Sequence, residues 1–570
     1  MEQQMPEKPF RRFFSMIKAD KKDIYYIYLF AILNGVINLS LPLGIQAIIN
    51  LVMGGRVSSS FILLVSVVLL GIIFTGILQI LQMSITELIQ QRLFARSAFE
   101  FSYRIPRIKT QKLLQYHPPE LVNRFFDTLT VQKGLPKILM DVSTSLLQIF
   151  FGLLLLSFYH PFFIMFGAFL VVLVVLIFRF TGPNGLRTSL LESDYKYKVA
   201  FWLEELARNF GSFKQAGKTD LPNSRTDEYS QGYLENRKAH FKVLMQQFAG
   251  IIGFKVFITG GLLLIGGLLV INNQINVGQF VASEIVILII INSIEKLIRT
   301  SESIYDVITA LEKIGKVTDM PLDNDRGLPL DEKGAMEVIA KGVSLQFDGD
   351  SNQRLNEVQF HLHPGEKIGL AGPHGSGKSV LLQTLAGFYP EVKGSLSYHG
   401  QPLGSLNLEE LRNRIGSTLS MEELFYGTIL ENLTVGRPNI SLEETKRVCV
   451  QLGLDDYIRS LPEGFNTKII PGGRNLGRGI TMRLLIARSI LGSPELLLLG
   501  NEISSLDPSL KKKLIHFLLK EMPDTSLVMI NHDPEILQLM DRVWVMGSGS
   551  IVADGPWDQV RSQCKYLQPE

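Results

Sequence analysis

Between Lys367 and Ser379 the chain reads KIGLAGPHGSGKS, and Val380 to Ala386 continue as an apolar, helix-like run. The spacing fits G-x-x-x-x-G-K-[ST], and the strand–loop–helix setting is the one that this phosphate-binding pattern requires. The chemistry follows from the residue types. Gly372, Gly375 and Gly377 let the backbone wrap closely, with Pro373, His374 and Ser376 completing the loop. Amide groups at the start of a helix then point at an anion. Lys378 is placed to reach the β- and γ-phosphates, and Ser379 to ligate Mg2+. We expect a nucleotide site here.

Elements that position this loop begin after a polar linker. Residues 321–335 carry prolines, glycines and charges, as linkers do, and strands and helices alternate over 336–570. Before the linker the chain is different. Six long apolar stretches run at about 24–51, 60–84, 138–158, 161–181, 249–271 and 277–298. Each is long enough for the roughly 30 Å hydrocarbon core, which takes about 20 helical residues. Composition agrees with a half-membrane, half-globular chain: 46% of residues are apolar, 19% charged, and the mean hydropathy is +0.19. Disorder is excluded by that apolar content. A net charge of +3 over 570 residues gives no reason to expect a nucleic-acid partner. Two cysteines, Cys449 and Cys564, offer no disulfide framework.

Charge placement sets an expected orientation. Arg11, Arg12 and Lys18 precede the first span; Arg92, Arg96, Arg104 and Arg107 follow the second; Arg179, Arg187, Lys196 and Lys198 follow the fourth. The three other loops hold only Arg56. Positive-inside logic puts both termini and both long loops in the cytoplasm. Those loops keep helical periodicity, so the spanning helices are expected to continue beyond the membrane, with tips near 117–119 and 211–220. Residues 1–22 do not read as a cleavable signal peptide. Phe10, Phe13, Phe14 and Ile17 recur at helical spacing between cations, as in an elbow helix on a membrane surface. Polar residues mark the spans: Asn34, Asn38, Gln46 and Asn50 on the first, Gln79, Gln82, Thr86 and Gln90 on the second. They either join helices or line a cavity.

From the elbow helix to about residue 560, the order of landmarks resembles an ABC exporter half-transporter, loosely of the bacterial peptide or protein exporter kind. Leu506 and Asp507 after Ser504 and Ser505 are similar to that family's D-loop. His532, after the apolar run 527–530, resembles the switch histidine. Phe347 stands where an aromatic ring stacks on adenine. The resemblance implies a multidomain membrane protein: an all-α six-helix transmembrane domain (23–320) fused to an α/β P-loop NTPase, or ABC ATPase, domain (336–570). It implies ATP and Mg2+ as cofactors, membrane lipid as surroundings, and a second half-transporter as partner, in a homo- or heterodimer. It leaves room for a periplasmic adaptor. A bacterial inner membrane is the expected location.

Departures from the family pattern are concentrated in the hydrolytic parts. Gly500 aligns with the Mg2+-supporting aspartate and Asn501 with the general-base glutamate, while Glu502 falls one position late. Gly477, Arg478 and Gly479 occupy the signature, without its serine and with a bulky cation at a glycine position. Ser420 aligns with the glutamine-loop glutamine. Binding groups persist and turnover groups do not. The expectation is a nucleotide-binding permease subunit whose own ATP hydrolysis is weak or lost. The alternative is a non-transporting membrane scaffold, or a degenerate partner of an active half-transporter. His361 and His363 alternate along a strand-like segment and are expected to be ordinary strand residues rather than metal ligands.

Overall fold

The computed structural model describes residues 9–54, 59–114, 116, 118–347, 353–419 and 423–563. Ser420 and His117 lie outside them. The chain divides into two compact units, residues up to 107 with 116–320, and residues 108–115 with 321 onward.

The first unit is helical. Six helices or helix pairs are long and apolar enough to span a membrane: Lys21–Met53, Ser59–Arg107, Pro118–Ser157, Phe162–Arg208, Leu221–Ile271 and Val277–Thr318. In hydrocarbon every backbone N–H and C=O must be satisfied within the protein, and a helix does so along its own length. The continuous helices are longer than a bilayer requires. Ser59–Arg104 has 46 residues, Phe162–Arg208 has 47 and Leu221–Ile271 has 51. At 1.5 Å per residue, each exceeds about 65 Å, twice the hydrocarbon thickness.

The first span breaks at Leu39, between Lys21–Asn38 and Ser40–Met53. Pro42 explains this: it has no N–H to give the carbonyl of Asn38. Apolar side chains face outward along Ser59–Arg104, among them Ile62, Leu63, Phe74 and Ile80. Such a surface suits lipid and not water. Leu155, Leu156, Phe163, Ile287, Ile290 and Ile294 fill the interior. Two of the expected polar residues join segments: Gln82 Nε2 donates to Ile27 O at 3.0 Å, and Tyr159 OH to Gln46 Oε1 at 2.5 Å.

The elbow helix, Pro9–Ala19, is docked by one of its cations. Arg12 is buried; its Nη1 donates to Leu311 O at 2.9 Å and its Nη2 pairs with Asp319. Phe14 is exposed on the other side of that helix.

Among its described residues the second unit holds twelve strands: β1 (Val338–Leu345), β2 (Leu355–Leu362), β3 (Lys367–Ala371), β4 (Lys393–Tyr398), β5 (Gln401–Pro402), β6 (Ile415–Thr418), β7 (Gly427–Thr428), β8 (Lys468–Ile469), β9 (Leu496–Leu499), β10 (Ser526–Ile530), β11 (Arg542–Gly547) and β12 (Ser550–Gly555). An antiparallel sheet runs β2-β1-β4-β5, a larger one β12-β11-β3-β10-β9-β6, and β7 pairs with β8. In the larger sheet all pairings are parallel except β11 with β12. Its inner strands β3, β9 and β10 are buried at every position. That is why they read as unbroken apolar runs, since both faces of a parallel sheet are covered. On one face, Leu381, Leu382 and Leu385 of helix Lys378–Leu385 join Phe360 and Trp544, whose rings lie 4.4 Å apart. On the other, helices Arg478–Ile490 and Pro508–Lys520 supply Leu484, Ile486, Leu514 and Leu518.

Arg12→Ala removes a charged donor from a buried carbonyl and leaves Asp319 without that partner. Hydrogen bonds to charged groups contribute about 1.5–3 kcal/mol. Thermal unfolding in lipid nanodiscs should show a lowered Tm for Arg12→Ala and none for the exposed Lys18→Ala.

Candidate nucleotide site

The loop leaves β3 at the carboxyl edge of the larger sheet. Leu370 pairs with Ile530 of β10, and Met529 pairs with Leu499 of β9. These strands therefore end side by side, and the segments that follow them converge. Gly372, Gly375 and Gly377 have φ of 147°, 78° and 98°, all in the region that favours glycine. Space adds a second constraint. A Cβ on Gly372 would sit 2.5 Å from Met546 O, and one on Gly377 2.9 Å from Arg354 O. Helix Lys378–Leu385 starts directly after this turn.

The Lys378 side chain is buried and curls back over the loop. Its Nζ donates to Gly372 O and Pro373 O, each at 2.7 Å, and to Ser376 Oγ at 3.3 Å. Burial pushes its pKa below the usual lysine value. Gly549 N donates to Ser376 O at 3.0 Å, tying the loop to the β11–β12 turn.

A cleft of about 640 Å³ opens over the loop. Residues 374–380, with Asn501, Ile530 and His532, form most of its wall. His374 and His532 have ring centroids 6.2 Å apart. Partial burial first, then the charges of Lys378 and His374, hold His532 below the ordinary histidine value. Both effects favour the neutral ring, which carries one N–H donor and one acceptor nitrogen.

The end of β9 is set by backbone. Gly500 N donates to Thr418 O and to Thr418 Oγ1, both at 3.1 Å. Asn501 opens the short turn Asn501–Ser505. Ser504 Oγ donates to Asn501 O at 2.6 Å and to its side-chain oxygen. The Asn501 amide thus lies at the cleft but is bonded to its own turn.

Of the residues singled out in the sequence, His374 to Ser379, Asn501 and His532 come together around the cleft. Phe347 does not line it; its ring packs 5.1 Å from that of Tyr389. Gly477, Arg478 and Gly479 stand apart at the exposed start of helix Arg478–Ile490, where a Cβ on either glycine meets nothing. Asp507 precedes helix Pro508–Lys520 without capping it through its side chain. Gln353, Arg354, Ser548 and Gly549 line the cleft and were not expected there. A positive φ at Gly549, 85°, is a local signal, but its place beside Gly377 depends on long-range pairing.

The fit to a nucleotide with Mg2+ divides. A cradle that excludes any Cβ, a buried ammonium and a helix start suit a polyphosphate. For the metal, Ser379 at the cleft is one donor, and Gly500 has no side chain to offer as another.

Family models agree on both units. The ABC transporter transmembrane region matches residues 24–294, and the ABC transporter model matches 355–502. The Alpha-hemolysin translocation ATP-binding protein HlyB of Escherichia coli O157:H7 is 28% identical over 298 residues, covering 52% of this chain and 42% of that protein. The "Putative multidrug export ATP-binding/permease protein YgaD" of Bacillus subtilis (strain 168) is 25% identical over 579 aligned positions, covering 98% of each. An ATP-dependent lipid A-core flippase of Xanthomonas euvesicatoria is 28% identical over 347 residues, covering 60% and 59%. The matched stretch is thus about two fifths of the haemolysin protein's length and about three fifths of the flippase's. A solved bacterial Atm1-family ABC exporter with ATP bound superposes with a TM-score of 0.80 at 17% identity, over 96% of this chain and 97% of that one. This last likeness speaks for the fold.

Two substitutions test the cleft. Lys378→Ala removes the ammonium, and Gly377→Ala places a methyl group against Arg354 O at a strained φ. Each should weaken binding of a fluorescent ATP analogue at least tenfold, roughly 1.4 kcal/mol, with the fold unchanged by circular dichroism.

Proposed function

From the premise that this chain belongs to the ABC transporter family, an exporter-type transmembrane region joined to an ABC ATPase domain, we propose an ATP-binding permease subunit with little or no hydrolysis of its own. It pairs with a second half-transporter to move a substrate of the peptide, protein or lipid class across a bacterial inner membrane. Both termini and the ATPase domain lie on the cytoplasmic side, as the basic loops indicate. The breadth of the substrate class follows the names of the relatives, which range from a haemolysin translocator to lipid A-core flippases.

The observation that carries the reading is the end of β9. Asn501, which aligns with the general-base position, lines the same cleft as Lys378, and Gly500 precedes it. A carboxamide does not accept a proton as a carboxylate does, and loss of a general base costs about 10²–10⁴-fold. Gly500 removes a metal-supporting carboxylate as well. Gly477 and Arg478, where the family pattern has serine and glycine, weaken the surface that a partner's nucleotide would meet. The retained groups serve binding: Lys378 and the loop amides hold phosphate, Ser379 holds Mg2+, and the ring N–H of His532 donates to the terminal phosphate. Bound ATP supplies a polyanion that joins two ATPase domains. In this reading nucleotide acts as a clamp, and fuel comes from a partner or is not used.

The degenerate-partner alternative draws on the same residues and is separated by co-purification with a second, hydrolytically intact half-transporter.

Turnover of Mg·ATP by the purified chain in nanodiscs should equal that of Lys378→Ala, while labelled ATP binds in a Lys378-dependent way. Gly500→Asp combined with Asn501→Glu should raise turnover about 10²-fold or more. Wild-type turnover at the level of ordinary exporters, abolished by Lys378→Ala, overturns the reading.

A further inference from the structure

Away from the nucleotide cleft, the register of the antiparallel sheet assembles a second group of chemically capable side chains. Val338 pairs with Leu362 and Ile339 with His361. Continuing that ladder by one residue sets Glu337 opposite His363. His361 and His363 are two apart on one strand, so they share a face, and directly opposed residues share a face too. Two imidazoles and a carboxylate therefore gather at the outer edge of the sheet. Their rings are 3.9 Å apart by centroid, and His361 Nε2 lies 2.7 Å from Glu337 Oε1. One donor atom from each of the three lies within 4.8 Å of the others.

We propose that Glu337, His361 and His363 form a binding site for a zinc-class divalent cation. Two neutral imidazoles and one carboxylate, with room for water, is a donor set that suits Zn2+. Metal–nitrogen bonds of about 2.0–2.1 Å need donors roughly 3.3 Å apart in a tetrahedron, so small rotations of these side chains close the set. His363 is exposed and gives the ion a path in, while His361 and Glu337 are half-buried.

The backbone under the histidines is held firmly. Arg542 Nη1 donates to His361 O at 3.1 Å, and His363 N donates to Glu366 Oε2 at 2.9 Å. Arg542 in turn pairs with both Glu366 and Asp554. With Glu337, that makes three carboxylates against one guanidinium, a local field that favours a cation. The hydrogen bond between His361 and Glu337 alone explains one histidine; it does not account for the second imidazole, tilted at 46° to the first with its centroid 3.9 Å away.

Such a site is built from the last residues before β3. His363 and Glu366 bracket the turn that leads into that strand, with Glu366 N donating to His363 O at 3.1 Å. A bound ion would fasten this turn to the start of β1.

The test uses the full chain in lipid nanodiscs, free of affinity tag and nucleotide, titrated with Co2+. We expect a saturable visible absorption of four- or five-coordinate cobalt, one ion per chain, displaced by Zn2+. His363→Ala and His361→Ala should each weaken it by more than the roughly 10–100-fold that losing an outer-shell partner costs. Glu337→Gln should weaken it while leaving the histidine pair. His363 is exposed, so its variant keeps the test valid if His361→Ala does not fold. Absence of a saturable cobalt spectrum overturns the proposal. So does a saturable spectrum that His363→Ala leaves intact.

Discussion

The parallel alignment of β3, β9 and β10 is the constraint on which the ATPase unit depends. Parallel strands all end on one edge, so whatever follows them meets there. The glycine loop after Ala371, the turn after Leu499 and His532 just past Ile530 are brought together by this register alone. Complete burial of the three strands makes the edge rigid, and the loop inherits that rigidity. Its glycines fit because Met546 O and Arg354 O stand where side chains would be. The transmembrane unit answers a different demand, closing every backbone hydrogen bond without water. It does so with long helices, and uses side chains such as Gln82 and Arg12 to fix them to one another.

What could be read from the residues beforehand was whatever is local. The six spans announce themselves by length and hydropathy, and the phosphate loop by eight consecutive positions. The loss of acid at Gly500 and Asn501 is equally a matter of adjacent letters. Long-range partners were out of reach. Arg12 finds Asp319 some 307 positions away, and nothing in an amphipathic elbow says which of its cations turns inward. Arg354 and Gly549 meet at the cleft because the β11–β12 turn bonds to the start of β2, Asn356 N donating to Gly549 O at 2.9 Å. His361 and His363 looked like plain strand residues until the register set Glu337 across from them. Phe347 was named for its ring, and its resting place is against Tyr389, half-buried at the margin of the hydrophobic core.

Strand ends also show how a site can lose chemistry and keep shape. Thr418 accepts from Gly500 N through both its carbonyl and its hydroxyl, so the backbone there is fixed without help from any acidic side chain. Ser504 closes the next turn onto Asn501 in the same way. The end of the strand therefore keeps its shape with a carboxamide at Asn501 and no side chain at Gly500.

The curled Lys378 has a thermodynamic implication. Its ammonium satisfies two carbonyls of the loop, so the loop carries its own internal counter-ligand. An arriving phosphate does not find a vacant cation; it must exchange with Gly372 O and Pro373 O. Association is then a swap of partners, in which much of the favourable enthalpy of the new contacts is cancelled by the old ones released. The gain left over is modest per bond.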